Sequence, residues 1–522
     1  MSSSTPRHPT LALAAICLAA LLFGLEISSV PIILPVLEAR LHADFQDLQW
    51  IMNAYTIACT TVLMATGTLA DRYGRRRVFA LTVLAFGIAS LLCGLAPSTA
   101  VLIAGRFLQG MAGGAMFICS IAILSHQFPD GKARGRAFAI WGVVAGIGLG
   151  FGPVIGGVIV ALASWHWVFL VHAPLALLGL ALIMAGVAES SDPLARQQKL
   201  DLAGIVTLTV AVLGLTSFIT QGEGLGWTST AALGLAAATV FSLIAFVAVE
   251  RLHPHPMFDF SVFKIRDFSG AILGCIGMNC SYWPFMIYLP LYFSAGLGYD
   301  TTTAGLALLF YTVPFLVMPP IAQWLLLRYQ ARFVIPAGLF LIGLGFVLMK
   351  LGSGLTHLGG WTVLPGALIA GIGLGLTTTP ATNMTTASVP ANRAGMASGM
   401  DVSARLITLA INIAAMGLVL VAGILAALRT ALGPALDAAR LRALAERLAG
   451  GDVAGAQQML ATLAAPDAAG AILQAAVTHG FGWVMLYGGL GAWLTAGLSL
   501  AVLSRRRASP AQDVLPGVAG GH

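Results

Sequence analysis

Gly67-Thr68-Leu69-Ala70-Asp71-Arg72-Tyr73-Gly74-Arg75-Arg76-Arg77 lies between two long apolar segments. It packs four arginines, one acid and two glycines into a connection that has room only for a tight helix–helix turn. Such a cluster needs water or lipid headgroups beside it, so the flanking helices must end there. Short arginine-rich loops mark the cytoplasmic side of a membrane protein. The turn therefore sets both class and topology.

Working outward, the 522-residue chain is 58% hydrophobic and 9% charged, against about 25% charged for soluble domains, with a mean hydropathy of +0.90. Apolar runs of roughly twenty residues, each long enough to cross a hydrocarbon core, recur along almost the whole length. The first, about Leu11 to Leu37, follows Arg7 and His8. It is too long for a signal peptide and reads as a retained helix. Further spans centre near Met64, Ser90, Ala115, Gly148, Leu180, Val212, Ala238, Met278, Phe310, Leu341, Ala370, Ala410 and Gly491. The expectation is an all-α polytopic membrane protein of about fourteen spans.

Loop charges orient it. With both termini inside, the inner loops carry Arg72, Arg75, Arg76, Arg77, Lys132, Arg134, Arg136, Arg196, Lys199, Arg251, Lys264, Arg266, Arg328, Arg332 and Arg393, and the tail adds Arg505 to Arg507. Short outer loops hold almost no base besides Arg40 and Lys350. The net charge of +7 thus serves topology and anionic headgroups, and nucleic acid is not an expected partner. A long outer loop, 428–471, carries an Ala/Leu/Arg pattern that predicts one or two short amphipathic helices. All six cysteines fall inside apolar spans, as small packing residues rather than a disulfide framework or a metal site. No catalytic constellation, metal site or cofactor is expected.

A weak repeat divides the chain. Arg328-Tyr329-Gln330-Ala331-Arg332 follows an apolar span as Arg72 to Arg76 does, offset by 256 residues. Leu327 stands in the place of Asp71 and Gln323 in that of Gly67, so the second copy reads as degraded. Membrane transporters are often built from such repeats, with the substrate site between them. Two six-helix halves follow, 1–188 and 268–504. An inserted helix pair, 189–267, separates them, and 505–522 forms a cytoplasmic tail.

Several motifs in order carry a resemblance. The chain resembles the major facilitator superfamily, in its fourteen-span drug:H+ antiporter group. Gly67 to Arg77 is similar to that superfamily's loop between spans two and three, and Arg106-Phe107-Leu108-Gln109-Gly110 to its span-four signature. Gly148 to Gly157 resembles the span-five signature of antiporters. Trp50, Tyr55 and the Gly222 to Trp227 turn resemble the fourteen-span group. The family implies proton-coupled export of amphipathic drugs or related compounds by alternating access, in a bacterial inner membrane. It also implies a periplasmic adaptor and outer-membrane channel as partners in a Gram-negative host, and a proton gradient as the energy source. An exporter or importer of one endogenous metabolite or siderophore shares the fold. A transport-inactive sensor or accessory subunit is the alternative from another class.

Each motif also has its own physics. Gly67 and Gly74 permit close helix approach and a sharp turn, while Asp71 is not needed for topology. Asp71 either lies against the inner N-terminus of span thirteen, near Ala394 to Ser398, where a helix dipole favours an anion, or pairs with a neighbouring arginine. The first reading makes Gly67, Asp71, Arg72, Gly74 and Arg75 an inner latch between the halves. Gly148, Gly152, Pro153, Gly156 and Gly157 lie in an apolar span with no preceding strand and no P-loop lysine, which excludes a nucleotide loop. Small residues there allow tight helix packing, and the family reading adds a bend that keeps an antiporter from leaking.

Charges buried in spans are the sharper signal. An isolated ionised carboxylate inside a bilayer is costly, so Glu26, midway along span one, is a candidate proton or cation-substrate site. A paired structural acid is the other reading. The family usually has aspartate at Glu26 and asparagine at Pro31. Arg106 would either poise that site or cap backbone groups of a neighbouring helix. Asp401 and Arg405, one helical turn apart, either neutralise each other or form a second gating or proton site. The family usually shows an amide near Asp401. Tyr282, Trp283, Phe285, Tyr288 and Tyr292 crowd span nine. Lipid-facing packing is the default for them, and an aromatic lining for apolar cations, with Tyr282, Trp283 and Tyr288 as candidates, the alternative. His166 and His172, where the family commonly has arginine and asparagine, are expected in an interfacial role, with a pH-sensitive gate as the alternative.

Overall fold

The computed structural model describes the chain except residues 1–7, 42, 44, 130, 192–200, 254–257, 300, 356–359, 391–392, 434–436, 461–465 and 505–522. Among the described residues the regular structure is helical, without strands. In chain order the long helices are α1 (Pro9–Leu41), α2 (Phe45–Tyr73), α3 (Arg75–Gly94), α4 (Thr99–Gln127), α5 (Gly131–Leu162), α6 (His172–Gly186), α7 (Leu202–Leu225), α8 (Thr230–Leu252), α9 (Arg266–Cys280), α10 (Thr301–Tyr329), α11 (Ala331–Ser353), α12 (Leu364–Ala387), α13 (Ala394–Leu432) and α14 (Pro466–Ser504). The short helix His166–Leu170 leads into α6, and α9 resumes after Ser281 as Tyr282–Leu291.

Helix is the conformation that satisfies every peptide group internally in hydrocarbon. Thirteen of these helical stretches are long and apolar enough to cross a membrane. The fourteenth, α2, has 29 residues, and among the described residues its apolar stretch is Trp50–Leu63. The chain is a multi-pass membrane protein. Two short amphipathic helices, Ala438–Ala449 and Val453–Leu460, occupy the long loop. Leu441, Leu444 and Leu448 bury their apolar stripe in the same cluster as Leu428 of α13 and Leu473 of α14.

The repeat has a backbone signature. Gly74, the residue before α3, has φ 110°, and Gln330, the residue before α11, has φ 65° and ψ 155°. These two positions are 256 residues apart. Among the described residues Gln330 is the only non-glycine with positive φ. Its region of the map is essentially glycine-only and costs a side-chain-bearing residue about 1–3 kcal/mol. The turn geometry thus recurs at a position that carries no glycine. Gln330→Gly is expected to stabilise the protein by about 1 kcal/mol after the unfolded-state entropy of glycine is offset, read as a raised unfolding midpoint in detergent.

Helices α1–α6 share one core, which includes Phe23, Tyr55, Phe86, Phe138 and Trp141. Residues of α9–α14 form another around Tyr282, Phe285, Tyr311, Phe346 and Phe481. Helix α5 is wedged between them. On one face Gly148, Gly152 and Gly156 press on α1: Ser28 Oγ donates to Gly148 O at 2.9 Å, and a Cβ at Gly156 would lie 3.0 Å from that of Ser29. On the other face a Cβ at Gly146 would meet Phe315 of α10 at 2.9 Å. Close packing therefore holds for that glycine row. Gly157 departs from it, with nothing within 4 Å of its Cβ position. The side chain of Pro153 lies outside the described residues.

Candidate functional site

Glu26 of α1 and Arg106 of α4 are almost fully buried and paired, Arg106 Nη1 donating to Glu26 Oε1. The same Nη1 donates to Gln109 Oε1 at 2.9 Å, and Nε donates to Ile51 O at 3.0 Å. The guanidinium carbon stands 4.5 Å from the Tyr55 ring centroid. Gln109 in turn donates to Ser90 Oγ of α3 at 2.9 Å. Arg106 thus caps a carbonyl of α2, as one reading expects, and pairs with the acid. The pairing compensates two charges that would each be costly alone in a low-dielectric interior. The cluster also holds His172, 1% exposed, with Nε2 3.4 Å from Glu26 Oε2. That overturns the interfacial role expected for His172, because α6 begins there and turns the ring inward against Phe86. His166 instead stacks on Trp165 and contacts Ser164 at 3.3 Å.

A second buried pair sits in the other half. Arg405 Nε donates to Asp401 Oδ2 at 3.1 Å, as the one-turn spacing predicts. Cys275 of α9 donates its thiol to Asp401 Oδ1 at 2.8 Å, and Arg405 Nη2 reaches Thr382 Oγ1 of α12 at 2.5 Å. Three helices thus converge on one neutralised pair.

At the arginine-rich end the halves touch. Arg75 binds Asp71 through Nε at 2.9 Å and Nη2 at 2.8 Å. The same carboxylate lies 2.5 Å from the Cβ position of Gly395, in the first turn of α13, and a Cβ at Gly67 would sit 2.6 Å from Gly395 O. Asp71 therefore meets both expectations, an arginine partner and the α13 N-terminus. Gly74 packs on the Glu189 carboxylate, which accepts from Arg76 N at 3.1 Å, while Arg72 lies over the Tyr73 ring.

Gln323, read from the sequence as a degraded position, holds a matching place. A Cβ at Gly135 of α5 would be 2.7 Å from its amide nitrogen, and its Oε1 accepts from Asn383 Nδ2 at 3.1 Å. Arg134 then ties α5 to α12, donating to Asn383 Oδ1 at 2.6 Å and Thr386 Oγ1 at 2.6 Å. Asp259, on the approach to α9, binds Arg393 Nη1 at 2.7 Å. Burial pushes that carboxyl up, but hydrogen bonds from Ser261 and Arg393 outweigh it and hold it below its ordinary value.

The span-nine aromatics are not a lipid-facing row. Tyr282 stacks on Tyr311 at 4.0 Å, and each hydroxyl donates to the other residue's carbonyl, at 2.5 Å and 2.9 Å. Phe285 and Tyr292 are buried as well. Tyr288 Oη donates to Ile413 O of α13 at 2.9 Å. Trp283, packed edge-on to Phe315 at 5.8 Å, stays half-buried.

Residues 16–411 match the family described as the Major Facilitator Superfamily. The chain is 32% identical over 441 residues to the multidrug resistance protein Stp of Mycobacterium tuberculosis, covering 84% of this chain and 81% of that protein. It is 28% identical over 426 residues to the tetracenomycin C resistance and export protein of Streptomyces glaucescens, covering 80% and 77%. Among solved structures, the proton:xylose symporter XylE aligns with TM-score 0.58 at 14% identity, over 94% of this chain and 95% of that one. The human organic anion transporter MFSD10 aligns with TM-score 0.53 at 14% identity, over 86% and 99%. At such identity the structures bear on fold alone, and they agree with the family match. The chain belongs to the Major Facilitator Superfamily.

Proposed function

We propose that this chain is a proton-coupled exporter of amphipathic drugs or related toxic compounds, working by alternating access. The observation that carries the reading is Glu26, a carboxylate sealed within the N-terminal core and held on one oxygen only by Arg106. Protonation removes the charge that holds Arg106, and loss of the proton restores it. A site with two such states can bias the packing of α1, α2 and α4, all of which touch the guanidinium or the carboxylate. Relatives bearing the names multidrug resistance protein and tetracenomycin C resistance and export protein support drugs as the cargo.

The arginine-rich end is assigned to the cytoplasm, with both termini there, by the charge rule for short loops. In a bacterial inner membrane, protons re-entering down their gradient then drive export, with no bound cofactor. The contacts of Asp71 with α13 and of Arg134 with α12 act as two latches that close the cytoplasmic side. Asp401 and Arg405 neutralise each other and brace α9, α12 and α13. Trp283 and Tyr288, both half-buried, are the span-nine aromatics left to face an apolar cation. A periplasmic adaptor and outer-membrane channel are the partners proposed for a Gram-negative host.

Everted membrane vesicles with ethidium test the reading. Accumulation that builds with an imposed proton gradient and collapses with an uncoupler is expected. Absence of gradient-driven movement of ethidium and other cationic dyes would point instead to one endogenous solute or to a sensor.

A further inference from the structure

Glu26 binds Arg106 through Oε1, while Oε2 is buried without a hydrogen-bond partner. His172 Nε2 lies 3.4 Å from Oε2, and neither ring nitrogen of His172 makes a hydrogen bond. Buried polar atoms are almost always paired, since each left unmade costs on the order of 1–3 kcal/mol. A carboxylate oxygen and an imidazole nitrogen that face each other unpaired, both sealed from solvent, form a place where one mobile proton satisfies both. Arg106 cannot supply that proton, because a guanidinium does not deprotonate in proteins.

Placement supports the pairing. His172 lies inside the span His166–Gly186, and antiparallel packing, with Gly186 against Ala12 and Gly179 against Leu18, brings it level with Glu26, midway along α1.

Among the described side chains, the other titratable groups on the helices packed against α6 sit elsewhere or are already engaged. On α1, Cys17 lies before Glu26 and Arg40 stands exposed at the far end. On α3, Cys93 faces Gln109, and Arg75 to Arg77 stand at the far end. His166 contacts Ser164. Tyr55 of α2 and Arg106 of α4 complete the cluster.

We propose that His172 is the relay through which protons reach Glu26, a proposal that rests on the coupling reading above. In the step, when alternating access opens the site to water, a hydronium ion gives its excess proton to Nδ1 and becomes water, and Nε2–H passes its proton to Glu26 Oε2. The imidazole ends neutral in its other tautomer, the carboxyl becomes neutral, and Arg106 keeps its charge without an ionic partner. The reverse transfer returns the proton. Asparagine, which the family commonly carries at this position, accepts and donates hydrogen bonds but cannot relay by this tautomer exchange.

The test uses His172→Asn and His172→Gln in proteoliposomes, beside Glu26→Gln, with substrate binding measured separately in detergent. Both His172 variants are expected to keep wild-type substrate affinity and to lose proton-driven transport by about tenfold or more, the lower range for removing a positioned proton-transfer group. Wild-type proton-driven rate in both variants, with Glu26→Gln inactive, overturns the relay and leaves coupling intact. Loss of substrate affinity along with transport overturns it as well, in favour of a packing role. Proton-driven transport surviving in Glu26→Gln overturns the coupling reading itself.

Discussion

Arg106→Ala is expected to destabilise the protein by about 3–5 kcal/mol, the scale for stripping one partner from a buried ion pair. The substitution leaves the Glu26 carboxylate without its counter-charge in a wholly buried place. It also removes the donors that Gln109 Oε1 and Ile51 O accept from. Replacing both charges, as Glu26→Gln with Arg106→Met, is expected to recover most of that loss, because a neutral pair of similar volume carries no uncompensated charge. Chemical unfolding in detergent compares the three proteins. Equal loss in the single and double variants would mean that packing of the arginine, not its charge, holds α1, α2 and α4 together.

The second large effect concerns the latch at Arg134. Its guanidinium crosses between the halves to Asn383 and Thr386 and donates to Ser125 O on its own side at 2.9 Å. Hydrogen bonds to a charged group are each worth about 1.5–3 kcal/mol. Arg134→Ala should therefore weaken closure of the arginine-rich end by roughly 3 kcal/mol, or on the order of 100-fold in the open-to-closed ratio. Spin labels on α5 and α12 near that end report the ratio as a distance distribution. An unchanged distribution would show that Asp71, Gly67 and Gly395 close the end without help from Arg134.

How much of this was legible in the chain depended on sequence distance. The turn at Gly67 to Arg77 and the apolar runs around it led directly to a polytopic helical bundle. Even the weak repeat was real in the backbone, since Gln330 keeps the positive φ of Gly74. Glu26 stood out because a lone acid in an apolar run is costly. Its neighbours did not, because they come from other helices: Gln109 and Ser90 look like ordinary polar residues of their own spans, and His172 lies on α6.

The clasp of Arg134 on Asn383 joins residues 249 positions apart, and nothing in either local sequence marks it. The span-nine aromatics were misplaced for a different reason. Lipid and protein core are equally apolar, so hydropathy cannot say which of them a tyrosine faces, and Tyr282 faces the core. Close-packing glycines were readable as a row, but which member lacks a neighbour, as Gly157 does, depends on how far α1 runs beside α5.

Proton release on substrate binding tests the role of Glu26 most directly. In weakly buffered detergent solution, adding a cationic substrate to wild-type protein prepared with Glu26 protonated is expected to release protons, and Glu26→Gln treated alike is expected to bind substrate with no release. Wild-type release from Glu26→Gln would contradict the assignment and place the coupled proton elsewhere in the molecule.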